Sequence, residues 1–349
     1  MQKLRVGIAG YGVVGKRRRI IIDSHAALKT VAVSDASFGE DGKLEDGIPF
    51  FNDFRKLFEL ELDVLFVCLP NFIAAEATIS GLRKGMHVFC EKPPGRDIKD
   101  IEAVIREERK HPGLKLKYGF NHRYHLSVKD SRALVKSGEL GGIINVMGVY
   151  GKSHIIPFDK GWRAERRLAG GGILLDQGIH MVDLMRLFCG DFEEVTSFIS
   201  NEVWKHDVED NAYAMMKNRR GQVAMLHSSA TKWQHRFSLD LTLERGYIRL
   251  SGILSGSKSY GEETMTIGRR PQTDTGNPRE ELVRYLQDPS WNEEIEEFAD
   301  CILGDKPVVE GSSLDALKTM WHIYRIYCAD ARWKAAYGLD DSISPDMGL

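Results

Sequence analysis

The sequence predicts an α/β protein in two parts. Residues 1–120 form a domain on a parallel sheet, and residues 121–349 an α+β domain on a large, mostly antiparallel open sheet. Three observations carry this reading. Short apolar runs alternate with helical patterns through the first third of the chain. One of those runs, Leu4–Ala9, leads straight into Gly10-Tyr11-Gly12-Val13-Val14-Gly15. Beyond Phe120 the rhythm changes to consecutive strand-like runs with short turns between them. The length of 349 residues suits two domains of about 100–200 residues each.

Taken in order, Leu4–Ala9 reads as a strand, Val13–Ser24 as a helix, and Thr30–Ser34 as a strand that stops at Asp35. Asp53–Leu60 reads as a short helix. Val64–Cys68 is a continuous apolar strand, followed by Pro70-Asn71 and a helix to about Lys84. Met86–Cys90 is a strand ending at Glu91-Lys92-Pro93-Pro94, Asp97–Arg109 a helix and Leu114–Phe120 a strand. Such alternation means βαβ units and a sheet buried on both faces. Downstream, a helix is expected near Ser127–Ser137 and strands at Ile143–Tyr150, Asn211–Met216, Gln222–Ser229 and Phe237–Leu243. Strands joined by short turns suggest an antiparallel or mixed sheet. Gly252–Asn277, rich in Gly, Ser and Thr, reads as a surface loop. Trp291–Leu303 and Leu314–Arg332 return to helical periodicity and can pack back on the first domain.

Composition narrows the function classes. Lys+Arg is 48 against Asp+Glu 50, so no charge excess calls for nucleic acid or a membrane surface as partner. No apolar run approaches the ~20 residues that span a bilayer. The five cysteines are dispersed, without a C-x-x-C pair, which fits reduced thiols and a cytoplasmic setting. No Cys, His and carboxylate set has metal-ligand spacing, so no metal is expected.

The glycines have physical roles. Gly10 permits a tight turn after the strand, Gly12 lets a pyrophosphate approach the backbone, and Gly15 lets the helix pack closely on the strand. The helix start at Val13 and Val14 offers free N–H groups to phosphate. Asp35 stands about 20 residues on, where an acidic residue binds ribose hydroxyls and repels a 2′-phosphate. The pattern therefore implies a Rossmann dinucleotide-binding domain that takes NAD. Lys16-Arg17-Arg18-Arg19 is read as a solvated basic run, or as cations near cofactor phosphates, which keeps NADP open.

Far downstream, Gly170-Gly171-Gly172 leads into Asp176, His180 and Asp183. On a helix these stand at i, i+4 and i+7, a polar stripe on one face of an apolar segment. Buried carboxylates and imidazoles need partners, so the stripe is either internally satisfied or faces a substrate hydroxyl. Lys92 follows a buried strand, and strand C-termini line the ligand crevice in open α/β sheets.

These motifs, together with Gly119-Phe120-Asn121-His122-Arg123-Tyr124, Trp162-Arg163 and Glu209-Asp210-Asn211, are similar to those of one family. The chain resembles the glucose-fructose oxidoreductase / inositol dehydrogenase / MocA family of NAD(P)-dependent oxidoreductases over nearly its whole length. One departure is Ala74, where that family often has His three residues after Pro-Asn. The resemblance implies Asn71, Glu91 and Lys92 at the cofactor, a cis Lys92–Pro93 bond and Arg163 at a sugar-like substrate; Asn121, Arg123 and Tyr124 are read as opening the second domain at the substrate cleft, and Trp162 as either stacking on a sugar face or packing in the core. The resemblance also implies a homodimer or homotetramer built on the second domain's sheet. His122 and His125 are read as packing or surface residues.

A division of labour follows for CH–OH oxidation. His180, with an ordinary pKa near neutrality, serves as general base. Lys92 stabilises developing alkoxide charge, and Asp176 orients substrate and holds His180 or Lys92. The roles of Lys92 and His180 can be exchanged, because a desolvated lysine can act as a base. Arg163, Arg166 and Arg167 suggest a sugar carrying phosphate, carboxylate or a nucleotide. Other readings remain: a simple polyol dehydrogenase, an NAD-dependent glycosidase acting by transient oxidation, and a non-catalytic NAD-binding regulator.

Overall fold

The computed structural model describes residues 2–155, 161–255, 259–270 and 276–345. The first region runs β1 (Leu4–Ala9), α1 (Val13–Ser24), β2 (Leu28–Ser34), β3 (Gly42–Lys43), β4 (Pro49–Phe51), a 3₁₀ turn Phe54–Glu59 and β5 (Val64–Val67). It continues with α2 (Asn71–Arg83), β6 (His87–Cys90), α3 (Ile98–Glu108) and β7 (Leu116–Tyr118). The sheet order is β3-β4-β2-β1-β5-β6-β7. Every pair is parallel except the hairpin of β3 with β4. The central strands are apolar throughout because helices cover both faces: Val6, Ile8, Val64–Phe66, Val88 and Phe89 are all fully buried. The order reverses between β1 and β5, and that switch point opens a crevice at the strand C-termini.

The second region holds α4 (Leu126–Ser137), β8 (Ile143–Ser153), α5 (Arg166–Ala169), a π-helical turn Leu174–Gly178 and α6 (Ile179–Cys189). There follow β9 (Glu194–Ser200), β10 (Asn211–Lys217), β11 (Val223–Lys232), β12 (Arg236–Leu243), β13 (Gly246–Ser251), β14 (Glu263–Arg269) and β15 (Arg279–Tyr285). Three helices close the chain: α7 (Ser290–Leu303), α8 (Ser313–Ala329) and α9 (Ala331–Tyr337). The sheet order is β15-β14-β13-β12-β8-β11-β10-β9. Only β8 with β11 is parallel.

One face of this sheet packs on α6. Met181 and Met185 press against β8 at Gly148, where a Cβ would lie 2.6 Å from each. The other face is open. Met215, Met225 and Met147 stand side by side across β10, β11 and β8, and all three are exposed. Phe198 and Tyr213 form the neighbouring row.

Two expectations are corrected. The stretch Gly252–Asn277 is not a surface loop throughout, because it contains β14; residues 256–258 and 271–275 of it lie outside the described residues. Met265 and Ile267 alternate inward between threonines, and β13 and β15 pair on either side. Two apolar residues give too weak a period-two signal to stand out from a polar segment. The helix expected over Leu314–Arg332 breaks at Asp330, whose carboxylate accepts the Trp333 N–H and caps a separate α9. The last helices return to the first sheet: α7 packs on α1, and α8 on α3 and β7.

Candidate active site

A cleft of about 650 Å³ runs from the β1–α1 turn to the N-terminal end of α6. Its first end is made by backbone. Gly10 adopts φ +92°, and a Cβ there would meet the Cys68 carbonyl oxygen at 2.3 Å. A Cβ on Gly15 would sit 2.0 Å from the Gly10 carbonyl oxygen. Gly12 differs, since a Cβ there would meet no protein atom within 4 Å and would instead fill open cleft. That empty cradle, at the uncapped N-terminus of α1, fits a pyrophosphate. Val13 and Val14 line it as well.

Asp35 sits at the C-terminal end of β2 and also lines the cleft. Its carboxylate accepts the Tyr11 N–H at 2.8 Å and the Ser37 N–H at 2.9 Å. Partial burial opposes ionisation, but the hydrogen bonds from Ser37 and Tyr11 and the nearby Lys16 charge outweigh it and lower its pKa.

The basic run behind the glycines is not a solvated face. Arg18 is fully buried, between Glu91 at 2.6 Å and Glu294 at 2.8 Å. It therefore anchors the loop after β6 to α7. Arg17 stacks on Trp291, pairs with Asp288 and reaches the cleft wall. Arg19 bonds the Tyr11 hydroxyl and pairs with Asp23 and Asp46.

At the other end, side chains make the site. The Lys92–Pro93 bond is cis. Lys92 donates from Nζ to the main-chain oxygen of Asp176, not to its carboxylate. Burial lowers the Lys92 pKa, and the Asp176 and Glu91 charges only partly offset that. His180 is buried, and its Nδ1 has no partner among the described residues. Burial, with the charges of His122, Lys92 and His125, holds its pKa well below the usual imidazole value. At neutral pH its ring is therefore uncharged.

The polar stripe does not share one environment. The π-helical turn rotates Asp176 relative to the regular helix beyond it. Asp176 lines the cleft with Gln177, and its carboxylate lies 4.0 Å from Arg163 Nε. No bond joins it to His180 among the described residues. Asp183 faces away, fully buried, and takes a two-pronged grip from Arg123 at 2.6 and 2.7 Å.

That contact corrects a further expectation. Arg123 does not line the cleft; Asp183, Glu310 and Asp315 surround its guanidinium. Tyr124 lies outside the lining too, bonded to Lys117 and Glu297. Asn121 does line the cleft, held by the Ser290 hydroxyl. Asn71 also lines it while donating to the Ala169 carbonyl at 2.7 Å, which ties α2 to the glycine loop. Trp162 packs edge-on against Phe72, and the Arg163 guanidinium lies 4.3 Å from its ring centre. Arg166 and Arg167 face a different cavity altogether.

The triple glycine is packed from three sides. A Cβ on Gly170 would lie 2.1 Å from the Arg96 carbonyl oxygen, on Gly171 2.2 Å from the Tyr327 hydroxyl, and on Gly172 2.1 Å from the Glu209 carbonyl oxygen. Glu209 then accepts the Gly172 and Leu174 N–H groups and the Tyr327 hydroxyl. This contact holds the turn that carries Asp176.

Sequence reasoning missed His122, Tyr150 and Gln177, all of which line the cleft. The His122 ring stacks on His180 with centres 3.7 Å apart, and its Nε2 shares a 3.2 Å hydrogen bond with the Tyr150 hydroxyl. His122 is thus buried in the cleft wall and not a surface histidine.

A phosphate cradle beside a carboxylate, facing a half-buried lysine and a neutral histidine, defines a dinucleotide-dependent oxidoreductase site. Comparisons with known proteins specify which. Residues 4–120 match the model of the oxidoreductase family with an NAD-binding Rossmann fold, and residues 128–249 match the GFO/IDH/MocA C-terminal domain. The chain belongs to this oxidoreductase family, and its first region is an NAD-binding Rossmann domain. It is similar to 1,5-anhydro-D-fructose reductase of Ensifer adhaerens, 30% identical over 178 residues, 49% of this chain and 51% of that protein. The chain thus spans about half the length of that relative. It is 29% identical over 250 residues to D-glucoside 3-dehydrogenase of Escherichia coli K12, 65% of this chain and 70% of the relative. In fold it matches levoglucosan dehydrogenase in complex with NADH, with TM-score 0.80 and 18% identity, covering 95% of this chain and 98% of the other. No helix among the described residues is long and apolar enough to cross a membrane.

Proposed function

We propose that the protein transfers a hydride between a ring hydroxyl of a sugar or glycoside and NAD. The observation that carries this is the convergence of Lys92, Asp176 and His180 on the same cleft as the glycine cradle. The named relatives, a sugar reductase and a glucoside dehydrogenase, support the substrate class. When bound, the nicotinamide cofactor supplies the hydride acceptor or donor. Gly10, Gly12, Val13, Val14, Gly15 and Asp35 would hold its phosphates and ribose, and Asn71, Glu91 and Lys92 its nicotinamide end.

Lys92 and His180 then divide the proton handling. Burial lowers both pKa values, but from different starting points. The lysine descends toward neutrality, where a group moves protons best; the imidazole descends away from it. Lys92 therefore takes the hydroxyl proton, reversing the assignment that unperturbed pKa values suggest. His180, as a neutral imidazole, donates its N–H to the oxygen of the same hydroxyl and so orients it. Asp176 holds a neighbouring hydroxyl, and Trp162 offers an aromatic face to the ring.

Of the three arginines in the 163–167 segment, only Arg163 reaches this cleft. One guanidinium already near Asp176 favours a neutral sugar ring over a nucleotide sugar. The test is NADH formation on methyl α-D-glucoside and myo-inositol against D-glucuronate and a UDP-sugar. Faster turnover of the neutral compounds is expected. Turnover confined to charged sugars would overturn the neutral assignment, and release of aglycone without net NADH would indicate glycosidase chemistry by transient oxidation.

A second copy of the chain covers the open sheet face, giving a homodimer or homotetramer. Exposed Met147, Met215, Met225 and Phe198 form a broad apolar surface there, which supports an interface. Light scattering at micromolar concentration should return a multiple of the 39.4 kDa chain. Five free thiols support a reducing, cytoplasmic setting.

A further inference from the structure

Behind the triple glycine lies a second cavity of about 470 Å³, which shares no lining residue with the cleft. Its walls come from the start of α3, from α5, and from α8 with the residues around α9. Two properties distinguish it from a packing defect. It is lined by aromatic and aliphatic surface from Tyr324, Tyr337 and Leu339. It also holds two guanidinium groups with no carboxylate partner among the described residues.

The first is Arg166. Its side chain is caged by rings, with the guanidinium 4.1 Å from the Tyr337 centre, 5.8 Å from Tyr327 and 6.0 Å from Trp333. Its Nη1 is buried and has no hydrogen-bond partner among the described residues. A buried guanidinium donor without an acceptor is costly, and buried polar atoms otherwise find partners. The second is Arg167, exposed at the same mouth and in no ion pair among the described residues. The acids nearby are already engaged. Asp97 accepts the Asp100 N–H, Asp207 accepts the Arg166 N–H, and Arg96 is held by Asp100.

We propose that this cavity is a second small-molecule site, which takes a small organic anion: a carboxylate or phosphate ester on an apolar or ring body. Arg166 and Arg167 bind the anionic group, and Tyr324, Tyr337 and Leu339 pack on the body. Guanidinium suits such groups because its planar fork matches their oxygens. The site does not depend on the chemistry in the cleft. A ligand in it would lie directly behind Gly170 and beside Tyr327, whose hydroxyl bonds Glu209.

The test is calorimetric titration of the full chain, saturated with NAD so that the phosphate cradle is filled. 4-Hydroxybenzoate and phenyl phosphate are the two anionic probes, chosen because neither is a sugar that the cleft would take, and 4-hydroxybenzamide and phenol are their neutral counterparts. At least one anion should bind saturably, at least about tenfold more tightly than its neutral counterpart. Which of the two binds identifies the anionic group. Arg167→Gln, an exposed change, should weaken that binding about tenfold, and Arg163→Gln, in the cleft, should leave it unchanged. Absence of saturable binding by either anion to about 10 mM overturns the proposal. So does equal binding of the neutral probes, or binding lost in Arg163→Gln and kept in Arg167→Gln.

Discussion

The two ends of the cleft are built from different materials. At the cofactor end the working groups are main-chain: a turn at Gly10, an open face at Gly12, and the free N–H groups that begin α1. At the substrate end they are side chains from segments far apart in sequence: Lys92 after β6, His122 before α4, Trp162 and Arg163 before α5, and Asp176 and His180 around the π turn. Backbone geometry tolerates no added atom where it is packed, yet is indifferent to charge. A side-chain site depends on burial and on which charges surround each group. The two ends should therefore fail in different ways when altered.

The largest expected effect is on stability, and it separates two carboxylates of one stripe. Asp183 is fully buried against Arg123, and removing one partner of a buried pair costs about 3–5 kcal/mol. Asp183→Ala should lose about that much in chemical denaturation. Asp176→Asn, half exposed in the cleft, should keep wild-type stability while turnover falls. Equal stability in both variants would remove the distinction between them.

Next in size is a change at the backbone end. Gly12→Ala puts a Cβ only into open cleft, so the melting temperature should hold while NAD affinity falls at least about tenfold. Gly15→Ala drives a Cβ into the Gly10 carbonyl and should lower the melting temperature as well. A matching loss of stability in both would show that Gly12 is packed and not a cradle. The smallest effect concerns cofactor choice. Asp35→Ala should bring NADP and NAD dissociation constants together, a shift of about tenfold in their ratio. An unchanged ratio would transfer the selectivity to the Lys16–Arg19 segment.

The contrast also explains what could be read from the chain beforehand. The strand, the glycines and Asp35 are local, so their order in sequence already states their geometry. Lys92 and His180 were legible as chemistry because each follows a buried apolar segment. Their environment was not: the charges that act on His180 come from His122, Lys92 and His125. The stripe of Asp176, His180 and Asp183 does not hold together because helical spacing assumes a regular helix, and the π turn rotates Asp176 relative to the face that α6 carries. Arg123 was read as a substrate residue because its acid partners Glu310 and Asp315 come from the end of the chain. Arg166 and Arg167 follow Arg163 closely in sequence, but the short α5 carries them past the glycine loop into another cavity.

The central claim is that half-buried Lys92 carries the proton in a cleft that oxidises a sugar hydroxyl. Its most direct test is the pH dependence of NAD reduction by wild type and Lys92→Met on whichever neutral sugar is turned over. Oxidation needs the uncharged amine, and burial places the Lys92 pKa below its ordinary value. The wild-type rate should therefore rise with pH and level off below the range of a free lysine. Lys92→Met should be slower by ~10²–10⁴, the usual share of a general acid–base group, with that rise gone. A Lys92→Met enzyme that keeps the same pH profile within a few-fold of wild-type rate would contradict the account.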